Sequence, residues 1–342
     1  METLFETFGS YYWLLMLLPL LFMFGLLPDQ TDVHVDAALT NFAQQFLQEP
    51  AAFTFDQVFT SMPVSKATDK YYTYSRDDFW RDEGDASMLL GDGAHVRRGG
   101  FRMSTASFSC DVRAYGHPIT KGRRKNADAA INVDKDGVNY VLQKLLVRHG
   151  AQWVTEFFAG SIWGTTTTLS GTDQWSDFAN SDPVAAIDTA CVAVEAATGH
   201  WPNRVVVGRR VDIKLRRHPV IQALYNVTDA DSITDEMLAR VFNVEKYVVL
   251  KAVKATNIEG ATAAFDYIAG KHCLVCYVAP DGSDGATAGK VFTWDGWGND
   301  QGVAIQTYYE EQSRSDIIEG FLALDFKVTS TALGYFYENA VA

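Results

Sequence analysis

The sequence predicts an α+β fold built in two parts, and three observations carry that prediction. Apolar residues recur at helical spacing through residues 138–158 and 183–198. They alternate with polar residues at Phe108–Ala114 and again at Leu324–Thr329, the period of a strand with one covered face. A chain of 342 residues, 47% of them apolar, is at the upper limit of what one undivided core holds, so two cores are expected.

Charge and cysteine usage narrow the possible partners. With 29 Lys and Arg against 42 Asp and Glu, the formal charge of −13 excludes a protein that coats DNA through its net field. Any nucleic-acid contact must be local. Four cysteines, Cys110, Cys191, Cys273 and Cys276, are too few and too scattered to form a disulfide framework in a chain this long, which favours a reducing compartment.

Along the chain, Tyr11 to Leu27 carries no charge, and as a helix it would fall just short of a bilayer's hydrocarbon core. Its positive flank is missing, since the first Lys or Arg is Lys66, and Pro19 interrupts the run. A removable leader or a helix buried against a partner fits residues 1–32 better than a membrane span. Residues 33–69, with Pro50 and no sustained periodicity, read as an extended arm.

A strand then begins in "KYYTYSRDDFW", a Gly- and Asp-rich tip spans 84–100, and a return strand leads to Pro118, so residues 70–116 form a long hairpin. An isolated hairpin is marginal in water and this one therefore needs other surfaces, a neighbouring subunit above all.

The next element is a long helix over about 134–160. Asp134 or Asp136 is expected to cap it, Val138, Val141, Leu142, Leu145 and His149 supply its stripe, and Gly150 is the expected irregularity. A polar loop with two tryptophans follows. Asp182 and Pro183 then open a second helix, with Val184, Ile187, Cys191 and Val194 on its buried face and Thr198-Gly199 at its end. "RVVV" is a buried strand, and Gly208 opens a basic helix in which Arg210, Lys214 and Arg217 share one face while Val211 and Leu215 share another. That basic face reads as a solvated or subunit-facing surface, with local DNA or RNA contact as the alternative. "TDEMLARVF" is a further helix that Asn243 can cap, and "KYVVLKAVKAT" and "KHCLVCYVAP" are strands.

The motif search predicts no enzyme. Cys273 and Cys276, beside His272, point to opposite faces of a strand at a separation of about 10 Å, and no second pair completes a metal site. "DGATAGKV" has Asp284 where a phosphate loop needs glycine and Val291 where it needs Ser or Thr. The acidic turns "DGSDG" and "DGWGND" do not reproduce a calcium-loop register. No cofactor, metal or catalytic residue is assigned.

One stretch, "SDPVAAIDTACVAVEAATGHWPNRVVVGRRVDIKLRRHPVI", resembles the segment of tailed-phage major capsid proteins in which a helix opening at Pro leads through T-G-x-x-P-N and a short strand to a helix ending in H-P. "TDEMLARVFNVEKYVVLKAV", "VDAALTNFAQQF" and "GYFYENAV" resemble other parts of the same proteins, so the likeness runs in order over about residues 33–342. It implies the Hong-Kong-97-type capsid fold. On that pattern residues 33–69 are the N-terminal arm, 70–116 the extended loop, 117–182 and 281–342 the peripheral domain with its spine helix, and 183–280 the axial domain. The apolar stretch of residues 1–32 has no counterpart in the pattern.

The resemblance further implies a subunit that assembles with itself into pentamers and hexamers around double-stranded DNA, without sequence-specific binding, in the virion capsid. Portal and scaffolding proteins, the latter from a separate chain, and a decoration protein would be its partners. A shell enclosing protein cargo and a membrane-anchored binding protein are the competing readings. Phe53, Phe55, Phe59, Tyr72, Tyr74, Phe79, Arg97, Arg98, Arg210, Lys214 and Arg217 are the candidate intersubunit contacts.

Overall fold

The long amphipathic helix is where the fold is organised. In the computed structural model, which describes residues 53–342 apart from 127–131, 226–232, 263, 281–284, 298–302 and the side chains of 86 and 87, it runs unbroken over Val133–Phe157. The apolar leader of residues 1–32 and the arm up to residue 52 lie outside the described residues. Asn132, not Asp134 or Asp136, caps the helix, its side-chain oxygen accepting from the Lys135 amide. The buried stripe is the expected one, Val138, Val141, Leu142, Leu145, His149, Trp153 and Phe157.

That stripe lies on a five-stranded sheet. Ser315–Val328 is its central strand, paired antiparallel with Val303–Glu310 on one side, and on the other with Asp111–Thr120 and then Gly289–Trp294. Thr60–Val64 closes the edge parallel to Gly289–Trp294. Helix and sheet approach closely because glycines stand at the contacts. A Cβ on Gly320 would sit 2.7 Å from Leu145 and Val141, and one on Gly137 would sit 2.9 Å from Ile318.

Gly150, expected to disturb the helix, does not interrupt it. The Phe55 ring occupies the space where its side chain would be, 2.5 Å from an added Cβ. Phe55 and Phe59 are thus core residues, 0% and 2% exposed, in ring contact with Trp153 at 5.4 and 5.9 Å. This corrects their assignment to intersubunit contacts: two aromatics in a segment without periodicity look alike whether they anchor a neighbour or fill the subunit's own core.

The second sheet orders Thr165–Thr168, Gly334–Glu338, Cys273–Cys276, Arg204–Gly208 and Lys246–Leu250. One face, through Val205, Val207, Cys273 and Val275, packs under helices Pro183–Thr198, Arg209–Arg216 and Asp235–Val241. The other face, through Val206, Leu274 and Phe336, joins the core beneath the spine helix. One expectation changes here. The segment read as a polar loop contains a strand, Thr165–Thr168, and its tryptophans Trp163 and Trp175 are buried. That strand pairs in parallel with the C-terminal strand Gly334–Glu338, which lies antiparallel beside Cys273–Cys276.

The helix Pro183–Thr198 starts and stops as its sequence predicts. Asp182 accepts from the Val184 and Ala185 amides, and Gly199 ends it at φ 66°. Cys273 and Cys276 face opposite cores, and all four cysteines are buried free thiols. Among the described residues no helix is long and apolar enough to cross a membrane, and no group of three or more His, Cys, Asp or Glu could hold a metal ion.

Candidate assembly surfaces

The hairpin divides into an anchored base and an open outer half. Its strands, Thr68–Tyr74 and Met103–Ser109, pair antiparallel over seven residues. The expected alternation through Val112 and Ala114 fails at Cys110, because the next strand, Asp111–Thr120, leaves the hairpin for the main sheet and turns both residues toward solvent. At the base Phe108 stacks on Phe292 with ring centroids 4.4 Å apart, Tyr71 adds a contact at 5.8 Å, and the Ser109 amide donates to Asp325 at 2.8 Å. These fasten the base to the outer face of the sheet.

Beyond the base the apolar side chains are open. Tyr74, Phe79 and Phe101 form a ring cluster with centroids 5.1–6.3 Å apart, yet each is more than half exposed. Tyr72, Met88, Leu89 and Leu90 are exposed as well. Asp78 holds the turn together: it accepts from the Arg102 backbone amide at 2.8 Å and from its guanidinium at 3.0 and 3.1 Å. Those bonds to Arg102 bring the Asp78 carboxyl down to about 2. Arg97 pairs with Glu83 at 2.7 Å, and Arg98 is exposed. One side of the hairpin touches its own subunit. Arg76 donates to the Ala197 carbonyl at the end of helix Pro183–Thr198, and the Trp80 ring leaves only 3.1 Å for a side chain on Gly199.

The segment entering the body is fixed internally. Phe53 is half-buried against the main core, the Thr54 hydroxyl donates to the Val249 carbonyl at 2.7 Å, and Arg204 donates to the carbonyls of Gln57 and Val58. The part of the predicted arm from Phe53 to Val64 is therefore built into the subunit.

The basic helix Arg209–Arg216 answers to acidic residues of its own subunit. Asp212, fully buried, accepts from Arg209 and Arg216 at 2.9 Å each and from the Tyr247 hydroxyl at 3.2 Å. Arg216 also reaches Asp235. A buried carboxylate needs such partners, so two of the arginines serve the core. On the outer face Arg210 pairs with Asp266 at 2.7 Å, the Lys214 ammonium lies 5.6 Å from the Phe178 ring centre, and Arg217 is exposed. His218 is buried, with Nε2 3.2 Å from the Ser181 hydroxyl; desolvation lowers its pKa below 6.5, with Asp182 opposing.

Of the candidate contacts, then, Tyr72, Tyr74, Phe79, Arg97 and Arg98 lie together on the hairpin, Arg210, Lys214 and Arg217 lie on one helix face, and Phe53 is half-buried at the arm's entry. Sequence reasoning missed Phe101, Met88, Leu89 and Leu90. The signal for these was the run of large apolar residues in a segment otherwise rich in Gly and Asp.

No family model matches the chain. A protein named major capsid protein from Pseudomonas phage JBD67 is 27% identical over 297 residues, covering 84% of this chain and 91% of its own. Among solved structures, a phage-related protein from Bordetella bronchiseptica RB50 is similar with a TM-score of 0.67 and 21% identity, covering 90% of this chain and 97% of its own. The mature capsid of bacteriophage PhiM1 gives a TM-score of 0.52 at 11% identity over 84% of this chain and 87% of its own. The fold is the Hong-Kong-97-type capsid fold expected from the sequence.

Proposed function

We infer that this chain is the major capsid protein of a tailed phage, a structural subunit that assembles with copies of itself into the shell of the virion. The observation that carries the reading is the hairpin: a fastened base bearing an outer half whose aromatic and aliphatic side chains stand in solvent. Monomeric soluble proteins rarely expose a contiguous apolar surface of this kind unless it is an interaction site. A phage capsid relative aligned over nearly its whole length supplies the class of assembly.

Pentamers and hexamers of one icosahedral shell follow from this reading. A subunit that fits slightly different neighbours needs a rigid body and adaptable straps. The body is the two sheets and the spine helix; the strap is the hairpin, with Tyr72, Tyr74 and Phe79 as apolar anchors and Arg97 and Arg98 at its rim. Arg210, Lys214 and Arg217 would meet an adjoining axial region. Portal, scaffolding and decoration proteins are the further partners of such a shell. The acidic chain leaves enclosed double-stranded DNA free to move, because tight Lys and Arg contacts all over the wall would oppose both packing and release.

The test is assembly itself. The purified chain, viewed by negative-stain microscopy with light scattering in parallel, should give hollow particles of uniform size. A chain that stays monomeric at high concentration, with and without a scaffolding protein, would overturn the reading.

A further inference from the structure

We propose that the open face of the spine helix, with the short basic helix Lys121–Asn126 before it, is the surface that meets the phosphate backbone of the enclosed DNA. The proposal rests on the capsid reading and names the part of the subunit that faces the genome.

Charge segregation is the first observation. Lys121 to Arg148 contains seven Lys and Arg against three Asp, a net of +4 in a chain of net −13. The only comparably basic run, Arg204 to Arg217, is largely neutralised at home by Asp212, Asp235 and Asp266. In Lys121–Arg148 Arg124 is consumed this way, by Asp134 and Asp316. Arg123, Lys125, Lys144 and Arg148 are exposed and make no ion pair among the described residues.

Geometry is the second. Tyr140, Lys144 and Arg148 follow at four-residue steps and so share one face of the helix, opposite the buried stripe. The Lys144 ammonium lies 5.6 Å from the Tyr140 ring centre, and the Tyr140 hydroxyl is 3.1 Å from that of Tyr115. Arg123 lines an open cleft with Tyr140 and His117, which brings the basic helix beside the spine helix. Asp136 lines the same cleft, and Glu259 lies near Tyr115, so the positive surface has two acidic borders.

The match to phosphate follows from chemistry. Flexible ammonium and guanidinium groups spread along one helix face, with tyrosine hydroxyls as extra donors and few groups placed to read a base edge, contact backbone without sequence preference. Such binding is local and salt-sensitive, which keeps the contact weak enough for a packaged polymer to slide.

The experiment compares the full chain with K144E/R148E, the neutral K144Q/R148Q, and the control K254E/R240E, which changes the net charge as much as the first variant at exposed positions elsewhere. Unassembled subunits are titrated with a short DNA duplex over a salt series, and particle yield is scored by negative stain. Each lost phosphate contact should make the plot of log K against log salt shallower by about 0.9, so K144Q/R148Q should lose roughly 2 in slope. K144E/R148E should bind more than ~10-fold more weakly at 0.1 M salt. Both variants should still form particles, and the control should keep the parent slope. Equal losses in the control, an unchanged slope in K144Q/R148Q, or failure of the K144 and R148 variants to assemble, which would make this face a subunit interface, would each overturn the proposal. Absence of particles from the parent chain would instead count against the capsid reading.

Discussion

Replacing Gly150 by Ala should destabilise this subunit, although the same change in an ordinary exposed helix stabilises by about 1 kcal/mol. The reason is Phe55, whose ring carbons lie 2.5 and 2.9 Å from where the new methyl would be. Real side chains do not approach so closely, and the ring is fully buried between Trp153 and His149, so it has little room to yield. Overpacking of this kind costs roughly 1–3 kcal/mol, which outweighs the helical gain and leaves a net loss of about 1 kcal/mol or somewhat more. Phe55→Ala alone, a fully buried aromatic removed from the core, should cost about 3–5 kcal/mol. In that background the clash is gone, so adding Gly150→Ala should return about 1 kcal/mol. The two changes are therefore coupled by roughly 2 kcal/mol or more, a sign reversal that a double-mutant cycle reads directly. Urea unfolding of the unassembled subunit, followed by tryptophan fluorescence with Trp153 as the near reporter, gives the four stabilities. If Gly150→Ala raises the midpoint in the parent protein, the ring is not over the glycine, and the seating of the Phe53–Val64 segment on the spine helix is wrong.

Other positions make independent predictions. Gly208→Ala would place a methyl 2.5 Å from the Gly270 carbonyl, a backbone atom that cannot rotate away, so the variant should lose at least ~2 kcal/mol and fractionate as insoluble protein; a soluble variant with an unchanged midpoint would contradict the close approach of the turn at Gly270. His218 is buried and held neutral, its pKa lowered by desolvation, so it costs nothing above its ordinary value of 6.5 and erodes stability as pH falls below that value; His218→Gln should make the acid limb of the stability curve shallower, and an unchanged limb would refute the burial. The buried thiols of Cys191 and Cys276 are each pushed up to about 12 by desolvation, which leaves a thiolate fraction on the order of 10⁻⁴ at pH 8; a thiol reagent should label them only on unfolding, and rapid labelling of native protein would show the strands to be open.

Much of this fold is legible from the sequence because its long elements are periodic. The spine helix and the helix Pro183–Thr198 carry apolar stripes of more than three turns, and Asp182, Pro183 and Gly199 mark the ends of the latter by local chemistry alone. What escaped was non-local. Thr165–Thr168 has four identical polar-looking residues, and only its pairing with Gly334–Glu338, 170 residues away, makes it a strand. The charges of Arg209 and Arg216 look solvated on a helical wheel until Asp212 is seen buried on the same helix, a carboxylate that pattern reading assigns to water. Among the candidate contacts the exposure of Tyr72, Tyr74 and Phe79 was readable, since aromatics flanking a Gly-rich tip have no core of their own to enter. Phe55 and Phe59 were not, because they pack on the spine helix some 90 residues later, Phe55 over Gly150 and Phe59 against Trp153 and Phe157, and the absent side chain at Gly150 leaves no signal.

The claim on which the rest depends is that the outer half of the hairpin completes its packing only on adjoining copies. Hydrogen exchange followed by mass spectrometry, on unassembled subunits and on particles of the same chain, tests this most directly. Peptides within residues 84–101 should exchange rapidly in the free subunit and become protected in the particle, while peptides covering residues 53–64, seated in the subunit's own core and sheet edge, should be protected in both. Strong protection of 84–101 in the free subunit, equal to that in the particle, would contradict the account.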